Sequence, residues 1–92
     1  MLKITITNTA TEERWTLEGR LVAPWLNELK TSWKKARRTA PRRRCIVNLD
    51  EVTFIDQRGE RMLRCMANQG AKFVASDVYI KHVVDRLGGK SN

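Results

Sequence analysis

Histidine and cysteine are scarce in this chain, which has one histidine, His82, and two cysteines, Cys45 and Cys65. The cysteines have no CxxC spacing, and three such residues do not make a zinc ligand set, so we predict no metal site. Two distant cysteines are typical of free thiols in a reducing compartment, which favours a cytoplasmic protein. His82 falls in the last predicted helix, where we expect a partly exposed side chain and not a catalytic base.

Long apolar runs and glycine-rich phosphate loops are also absent from the sequence. No apolar run approaches the roughly 20 residues that span a bilayer, and the first residues alternate instead of forming a signal-peptide core. The chain has no GxxxxGK[ST] or GxGxxG pattern, so we predict no nucleotide cofactor. We therefore expect a protein without a membrane span, a cofactor or an enzymatic activity.

The length and the charge of the chain limit its class and its partners. The 92 residues suffice for one small domain, which we place over residues 1–88, with a frayed tail over 89–92. Lysine and arginine number 18 against 10 acidic residues, which gives a net charge of +8. Such a basic balance makes nucleic acid or an acidic protein surface a candidate partner.

Hydrophobic periodicity predicts seven elements in the order β-β-α-β-α-β-α. Alternating apolar residues predict strands over 2–7 and 14–21, and short apolar runs predict strands over 45–49 and 71–75. A helix is predicted over 23–38, with Pro24 in its first turn and Pro41 beyond its end. Its inward face is Leu26, Leu29, Trp33 and Ala36.

The segment 50–56 is predicted as a loop, in which Val52, Phe54 and Ile55 point inward. Asp56 is predicted to cap a helix over 57–69 that Gly70 stops. The apolar face of this helix is Met62, Leu63, Met66 and Ala67. The last helix is capped by Ser76 or Asp77, ends at Gly88, and turns Ile80, Val83, Val84 and Leu87 inward.

This order predicts an α/β fold with one small sheet. A short connection between the first two strands favours an antiparallel hairpin. The strand–helix–strand units that follow favour parallel pairing with right-handed crossovers. We expect a mostly parallel sheet with an N-terminal antiparallel hairpin and about three helices packed on it.

Three segments carry a resemblance to a known family. They are Leu17-Glu-Gly-Arg-Leu-Val-Ala-Pro-Trp, Ile46-Val-Asn-Leu-Asp-Glu-Val-Thr-Phe-Ile-Asp and Gly70-Ala-Lys-Phe-Val-Ala. In order and spacing the chain resembles the STAS domain family (sulphate transporter and anti-sigma-factor antagonist) over most of residues 2–87. The resemblance implies a protein-binding regulatory module whose partner is an anti-sigma factor or a related signalling protein.

The resemblance also implies a phosphorylation site, and this chain departs from it. In antagonist-type members the loop reads Asp-Ser-Ser-Gly or similar, and the hydroxyl residue before the glycine is phosphorylated. Here Asp56 matches the aspartate, Gly59 matches the glycine, and Arg58 occupies the phosphoacceptor position. Arginine cannot accept a phosphate, and its charge is opposite to that of phosphoserine. We predict no phosphorylation switch at this site; whether Thr53 or Ser76 is modified stays open.

The predicted contact surface is the end of this loop and the start of the next helix. Its residues are Phe54, Asp56, Gln57, Arg58, Gly59, Arg61 and Met62. Asp56 is explained as a helix cap, and the same hydrogen bonds would also hold the binding loop in shape, so the two roles overlap. Arg58, Arg61 and Arg64 form a basic stripe on one helical face, which is either a solvated surface or a docking surface for an acidic partner.

A basic cluster over residues 34–44 is the second candidate surface. It contains seven cations and no acid: Lys34, Lys35, Arg37, Arg38, Arg42, Arg43 and Arg44. Cations near a helix C-terminus complement its dipole, but seven exceed that need. The cluster has no interleaved aromatics, so nonspecific nucleic-acid attraction, a partner-facing patch and a solvated patch all remain open. It leads into the strand that the Asp56 loop leaves, so we place the two sites at opposite ends of the sheet.

Three further hypotheses follow from the sequence. The domain is a basic adaptor for nucleic acid, or it is a scaffold subunit of a signalling complex. Trp25 and an exposed edge strand are also compatible with a homodimer. We expect Trp15, Trp25 and Trp33 to be core or interface residues and not a stacking platform for bases.

Overall fold

The computed structural model describes residues 1–41 and 43–88 and has the predicted element order. The strands are β1 (Leu2–Asn8), β2 (Glu12–Leu21), β3 (Arg44–Ile55) and β4 (Lys72–Val74). The helices are α1 (Leu26–Thr39), α2 (Gln57–Asn68) and α3 (Val78–Gly88). The predicted frayed tail over 89–92 lies outside the described residues.

The four strands form one sheet in the order β1-β2-β3-β4. β1 and β2 are antiparallel with Ile4 opposite Leu17, whereas β2 and β3 are parallel with Trp15 opposite Val47. β4 adds in parallel to the other side of β3, where Phe73 is opposite Val47. The predicted fold class, a mostly parallel sheet with an N-terminal antiparallel hairpin, is confirmed.

The helices cover one face of this sheet. Along β2 the side chains of Trp15 and Leu17 are buried, whereas their neighbours Arg14 and Thr16 are not. The buried side chains form one cluster, in which the rings of Trp15 and Trp33 meet edge to face with centroids 5.6 Å apart. This contact joins the sheet to α1, and it places Trp15 and Trp33 in the core, one of the two locations predicted for the tryptophans. Trp25 is 41% exposed.

β3 is longer than predicted, and the loop predicted over 50–56 is wrong. The strand continues to Ile55, which lies opposite Leu21 of β2. The pairing of β2 and β3 has two register shifts, so β3 turns Leu49, Val52 and Ile55 inward at intervals of three residues. Phe54 therefore faces outward and is 41% exposed, contrary to its predicted inward position.

The helix boundaries differ from the predictions mainly at the start of α1. Residues 22–25 form a turn closed by a 2.9 Å hydrogen bond from the Trp25 amide to the Val22 carbonyl oxygen. Pro24 therefore precedes the helix instead of lying in its first turn. The apolar faces agree with the prediction: Leu29, Trp33, Leu63, Met66, Ile80, Val83 and Leu87 are buried. In the described ranges no helix combines the length and the apolar character needed to cross a membrane.

Candidate functional site

The junction between β3 and α2 is held in one shape by Asp56. Its backbone is extended, with φ −89° and ψ −176°, and its Oδ1 accepts a 2.7 Å hydrogen bond from the amide of Gly59. Its own amide donates to the carbonyl oxygen of Leu21 at 3.2 Å. The residue therefore caps α2, as predicted, and also ties the junction to the end of β2.

Gly59 is at a point of close approach between α2 and β2. A Cβ atom at this position would lie 2.3 Å from the carbonyl oxygen of Leu21 and 3.1 Å from Cγ2 of Ile55. The glycine lacks a positive φ, so its role is to provide space and not unusual backbone freedom. Asp56 and Gly59 together fix α2 against the sheet, and Gln57 and Arg58 are exposed between them.

An aromatic and basic surface surrounds this junction. The guanidinium of Arg20 lies 5.4 Å from the ring centroid of Phe54, a cation–π distance. Tyr79 of α3 is 43% exposed, and its hydroxyl donates to the carbonyl oxygen of Ile55 at 3.2 Å while accepting from the Ile55 amide at 3.3 Å. Exposed rings fixed by polar contacts suit a protein interface.

The predicted arginine stripe on α2 is divided by its ion pairs. Arg58 and Arg61 are exposed and border a depression that Met62 also lines. Arg64 instead lies 3.6 Å from Glu60. Glu60 also accepts from Arg86 at 2.9 Å, and this hydrogen bond lowers the pKa of the Glu60 carboxyl.

The basic cluster begins in the last turns of α1 and continues at the start of β3. Lys34, Lys35 and Arg38 are exposed on α1, and Arg44 is exposed on β3. Arg42 lies outside the described residues. β3 has 12 residues, or roughly 35–40 Å at full extension, so Arg44 and the Asp56 junction are at opposite ends of this strand.

Arg37 has a structural role that the sequence did not reveal. Its guanidinium lies 5.3 Å from the ring centroid of Trp33 and donates to the carbonyl oxygen of Pro41. Its Nη1 also donates to Sγ of Cys45 at 3.2 Å. Arg37 thus closes the connection between α1 and β3, and its guanidinium is held by these contacts.

Cys45 of β3 lies in a buried cluster of polar side chains that also contains Glu13 and Trp15 of β2. Oε1 of Glu13 accepts from Nε1 of Trp15 at 2.9 Å and from the Cys45 thiol at 3.5 Å. Burial raises the pKa of the Cys45 thiol, and the negative charge of Glu13 adds to that rise. Cys65 is exposed on α2. The two thiols are therefore in contrasting environments.

The remaining candidates belong to neither of the two predicted sets of surface residues. His82 is exposed on α3. The Thr53 hydroxyl donates to the carbonyl oxygen of Gly19 at 3.2 Å, and the Ser76 amide donates to Asp50 at 2.7 Å. Among residues 1–41 and 43–88, no three histidine, cysteine or acidic side chains gather as a metal ligand set.

Sequence reasoning missed a groove between α1 and α2. Lys30, Met62 and Cys65 line both of the adjoining depressions that form it, and Gln69 lines its far end. A signal was present, since Lys30, Lys34 and Arg38 recur at intervals of four on α1. Only the packing of α1 against α2 brings that row beside Arg58 and Arg61.

The comparisons with known proteins concern the fold. Neither a protein-family model nor a curated protein matches the sequence. Among solved structures, the unphosphorylated anti-sigma factor antagonist SpoIIAA matches with a TM-score of 0.64 and 14% identity, over 95% of this chain and 99% of that one. A crystal structure of Mglu matches with a TM-score of 0.61 and 18% identity over 79% of this chain, which spans only 19% of that protein.

The match to SpoIIAA is nearly end to end in both chains. This chain therefore has the SpoIIAA-like fold, a four-stranded mixed sheet with three helices on it. The structural part of the resemblance found in the sequence is confirmed. At 14% identity the likeness concerns the fold and not the residues of a site.

Proposed function

We propose that this domain is a cytoplasmic regulatory module that binds a protein partner at the β3–α2 junction, in the manner of an anti-sigma factor antagonist. The end-to-end likeness to the antagonist SpoIIAA carries the proposal. The proposed partner is an anti-sigma factor or a related signalling protein that regulates transcription. The domain acts by binding and not by catalysis.

The geometry of the β3–α2 junction supports its proposed role as the protein-binding surface. Asp56 and Gly59 fix the start of α2, so Gln57 and Arg58 are exposed on a rigid support. Phe54 and Arg20 add an exposed aromatic ring and a cation beside it. Preformed surfaces of this kind lose little conformational entropy on binding.

The control of this binding differs from that of a phosphorylated antagonist. Arg58 stands one residue before Gly59, in the position that the family resemblance gives to the phosphoacceptor, and it is exposed. We propose that the partner meets a permanent positive charge there, so that binding is regulated by the supply of the two proteins and not by a kinase.

An affinity capture from extract of the native cells tests the proposal. Wild type is compared with Arg58→Glu and with Lys81→Glu, a matched charge reversal at an exposed position of α3. With nuclease present, a specific protein should be retained by wild type and Lys81→Glu and lost by Arg58→Glu. Equal recovery by all three baits would refute docking at the junction.

Nonspecific nucleic-acid binding is a second candidate function, and the seven cations at 34–44 favour it. Phosphate contacts release counterions, so the affinity for a DNA duplex would fall steeply as salt rises. If nuclease removes everything that the baits recover, and Arg44→Glu weakens duplex binding where Lys81→Glu does not, this second function replaces the first.

A further inference from the structure

The groove between α1 and α2 is a feature that docking at the junction alone does not explain. Its two depressions have volumes of about 500 and 430 Å³ and share Lys30, Met62 and Cys65. It extends along α1 from Leu26 to Arg38. Those twelve steps correspond to about 18 Å of helix, which matches a bound helix of about three turns.

The lining of the groove includes apolar side chains along its length. Leu26 and Met62 are partly exposed in it, and Cys65 lies between its two halves. Trp33 lines the far half but is only 2% exposed, and its Nε1 is bound to Oε1 of Gln69 at 2.8 Å. Apolar surface in a groove between helices suits the apolar face of an amphipathic helix.

The groove also has a row of cations on each side. Its cationic lining residues are Lys30, Lys34, Arg37, Arg38, Arg58 and Arg61. Among the described residues that line it, none is acidic. The ion pairs found within the described ranges involve Arg14, Arg64 and Arg86, so these six cations have no acidic partner there.

Like charges facing each other across a groove repel one another, and an acidic ligand would replace this repulsion by attraction. Nucleic acid fits the arrangement less well, because its charged backbone leaves the apolar lining unused. The Trp33 ring is also too buried to stack on a base. A helix with one apolar face and acidic residues on either side of that face complements both the apolar lining and the cations of the groove.

We propose that the groove between α1 and α2 binds an acidic amphipathic helix of the partner protein. The inference rests on the proposed function, because it names the partner segment that docks beside the β3–α2 junction. Arg58 and Arg61 line the groove at the end nearest the junction. One partner can therefore bind the groove through an acidic amphipathic helix while another part of the same protein contacts the junction.

Cys65 provides a local probe of occupancy. It is exposed between the two halves of the groove, whereas Cys45 is buried. The rate of maleimide alkylation of the full chain is measured with and without a 14-residue peptide that has leucine on one face and glutamate on the others. A scrambled peptide of the same composition is the control. The designed peptide should slow alkylation at least tenfold and saturably, and the scrambled one less than twofold.

Charge reversal of two lysines that line the groove tests whether its cations bind the peptide. Lys30→Glu with Lys34→Glu should weaken the designed peptide at least tenfold, measured by fluorescence anisotropy of labelled peptide. Lys3→Glu with Lys81→Glu changes the net charge equally, at exposed positions outside the groove lining, and should weaken it less than threefold. Circular dichroism checks that both variants fold. Equal weakening by the two pairs would overturn the proposal, because long-range attraction alone would then explain binding.

The other occupants give distinct results. Stronger protection of Cys65 by a DNA oligonucleotide than by the peptide would overturn the proposal in favour of nucleic acid. Protection that grows with protein concentration alone would overturn the proposal in favour of a second copy of the chain. If Arg58→Glu loses the native partner but the Lys30 and Lys34 reversal keeps it, the groove proposal fails and the proposed function stands. If neither variant loses the partner, the proposed function itself fails.

Discussion

Gly59→Ala is the sharpest test of how α2 is fixed against the sheet. An alanine normally stabilises the interior of a helix relative to glycine, by about 0.5–1 kcal/mol. Here the added Cβ would lie 2.3 Å from the carbonyl oxygen of Leu21. Ordinary contacts between carbon and oxygen are about 3.3 Å or longer, so α2 must move by roughly 1 Å. For Gly59→Ala, helix propensity therefore predicts a higher free energy of unfolding, whereas packing predicts a lower one.

The magnitude follows from these contacts. Overpacking in a close interface costs about 1–3 kcal/mol. The Leu21 oxygen also accepts the Asp56 amide at 3.2 Å, and losing that hydrogen bond costs about 0.5–1.5 kcal/mol more. After the gain in helix propensity is subtracted, we expect Gly59→Ala to lower the free energy of unfolding by roughly 0.5–4 kcal/mol.

Urea unfolding followed by tryptophan fluorescence measures this change. Trp15 and Trp33 are buried, so their emission reports the core, and the exposed Trp25 adds a constant background. Gln57→Ala, at the exposed first position of the same helix, is the control and should change stability by less than about 0.5 kcal/mol. If Gly59→Ala is as stable as wild type or more stable, the close approach to β2 is not a constraint and the reasoning is refuted.

Three further predictions concern the cap, an ion pair and the thiols. Asp56→Ala should cost about 1 kcal/mol in urea unfolding, because the capping bond to the first turn of α2 is lost. Glu60→Gln should lower Tm by a few degrees at most at pH 7. Its pairing with Arg86 lowers the folded pKa, so this stabilisation is full above the ordinary value of 4.5 and disappears as the pH falls through the folded pKa. In the folded protein, Cys65 should react with a disulfide reagent at least about a hundredfold faster than Cys45.

Each of these predictions has its own control. Asp56→Asn keeps a capping oxygen and should retain most of the stability, so an equal loss in both variants would contradict the capping argument. A Tm difference for Glu60→Gln that persists below the folded pKa would show that charge is not its cause. In urea, the two thiols should react at similar rates, and a remaining difference would exclude burial as the cause of Cys45 inertness.

The sequence was sufficient for the fold class because its signals are local and agree with one another. Alternating residues in β1 and the start of β2, helical spacing in α1 and α2, and the Asp56 cap each specify one element. The chain order of these elements then leaves few topologies. The structure has the predicted order and the predicted hairpin.

The end of β3 was missed because its period is not two. Two register shifts against β2 place Leu49, Val52 and Ile55 inward at intervals of three, so the segment lacks the alternation of a regular strand. Two adjacent acidic residues, Asp50 and Glu51, are also uncommon inside a strand. A bulge depends on the partner strand, and that information is not local to the segment.

The junction could be predicted in part from the sequence, whereas the groove between α1 and α2 could not. Asp56 is a sequence signal with a local cause, so its position could be predicted. The space at Gly59 depends on Leu21, a residue of another strand, and no pattern in the loop reveals it. The groove required the distance between two helices, which periodicity alone does not give.

The hydroxyl of Tyr79 has a consequence for the outer edge of β3. β4 pairs with residues 46–48, so beyond Asn48 no strand in the described part of the chain lies beside the outer edge of β3. An open edge of that length is a template for pairing with other chains. Tyr79 occupies both hydrogen-bonding groups of Ile55 at the end of this edge, and α3 packs against β3. A side chain of α3 thus takes, at Ile55, the hydrogen-bonding place of a neighbouring strand, and these two backbone groups are no longer open to another chain.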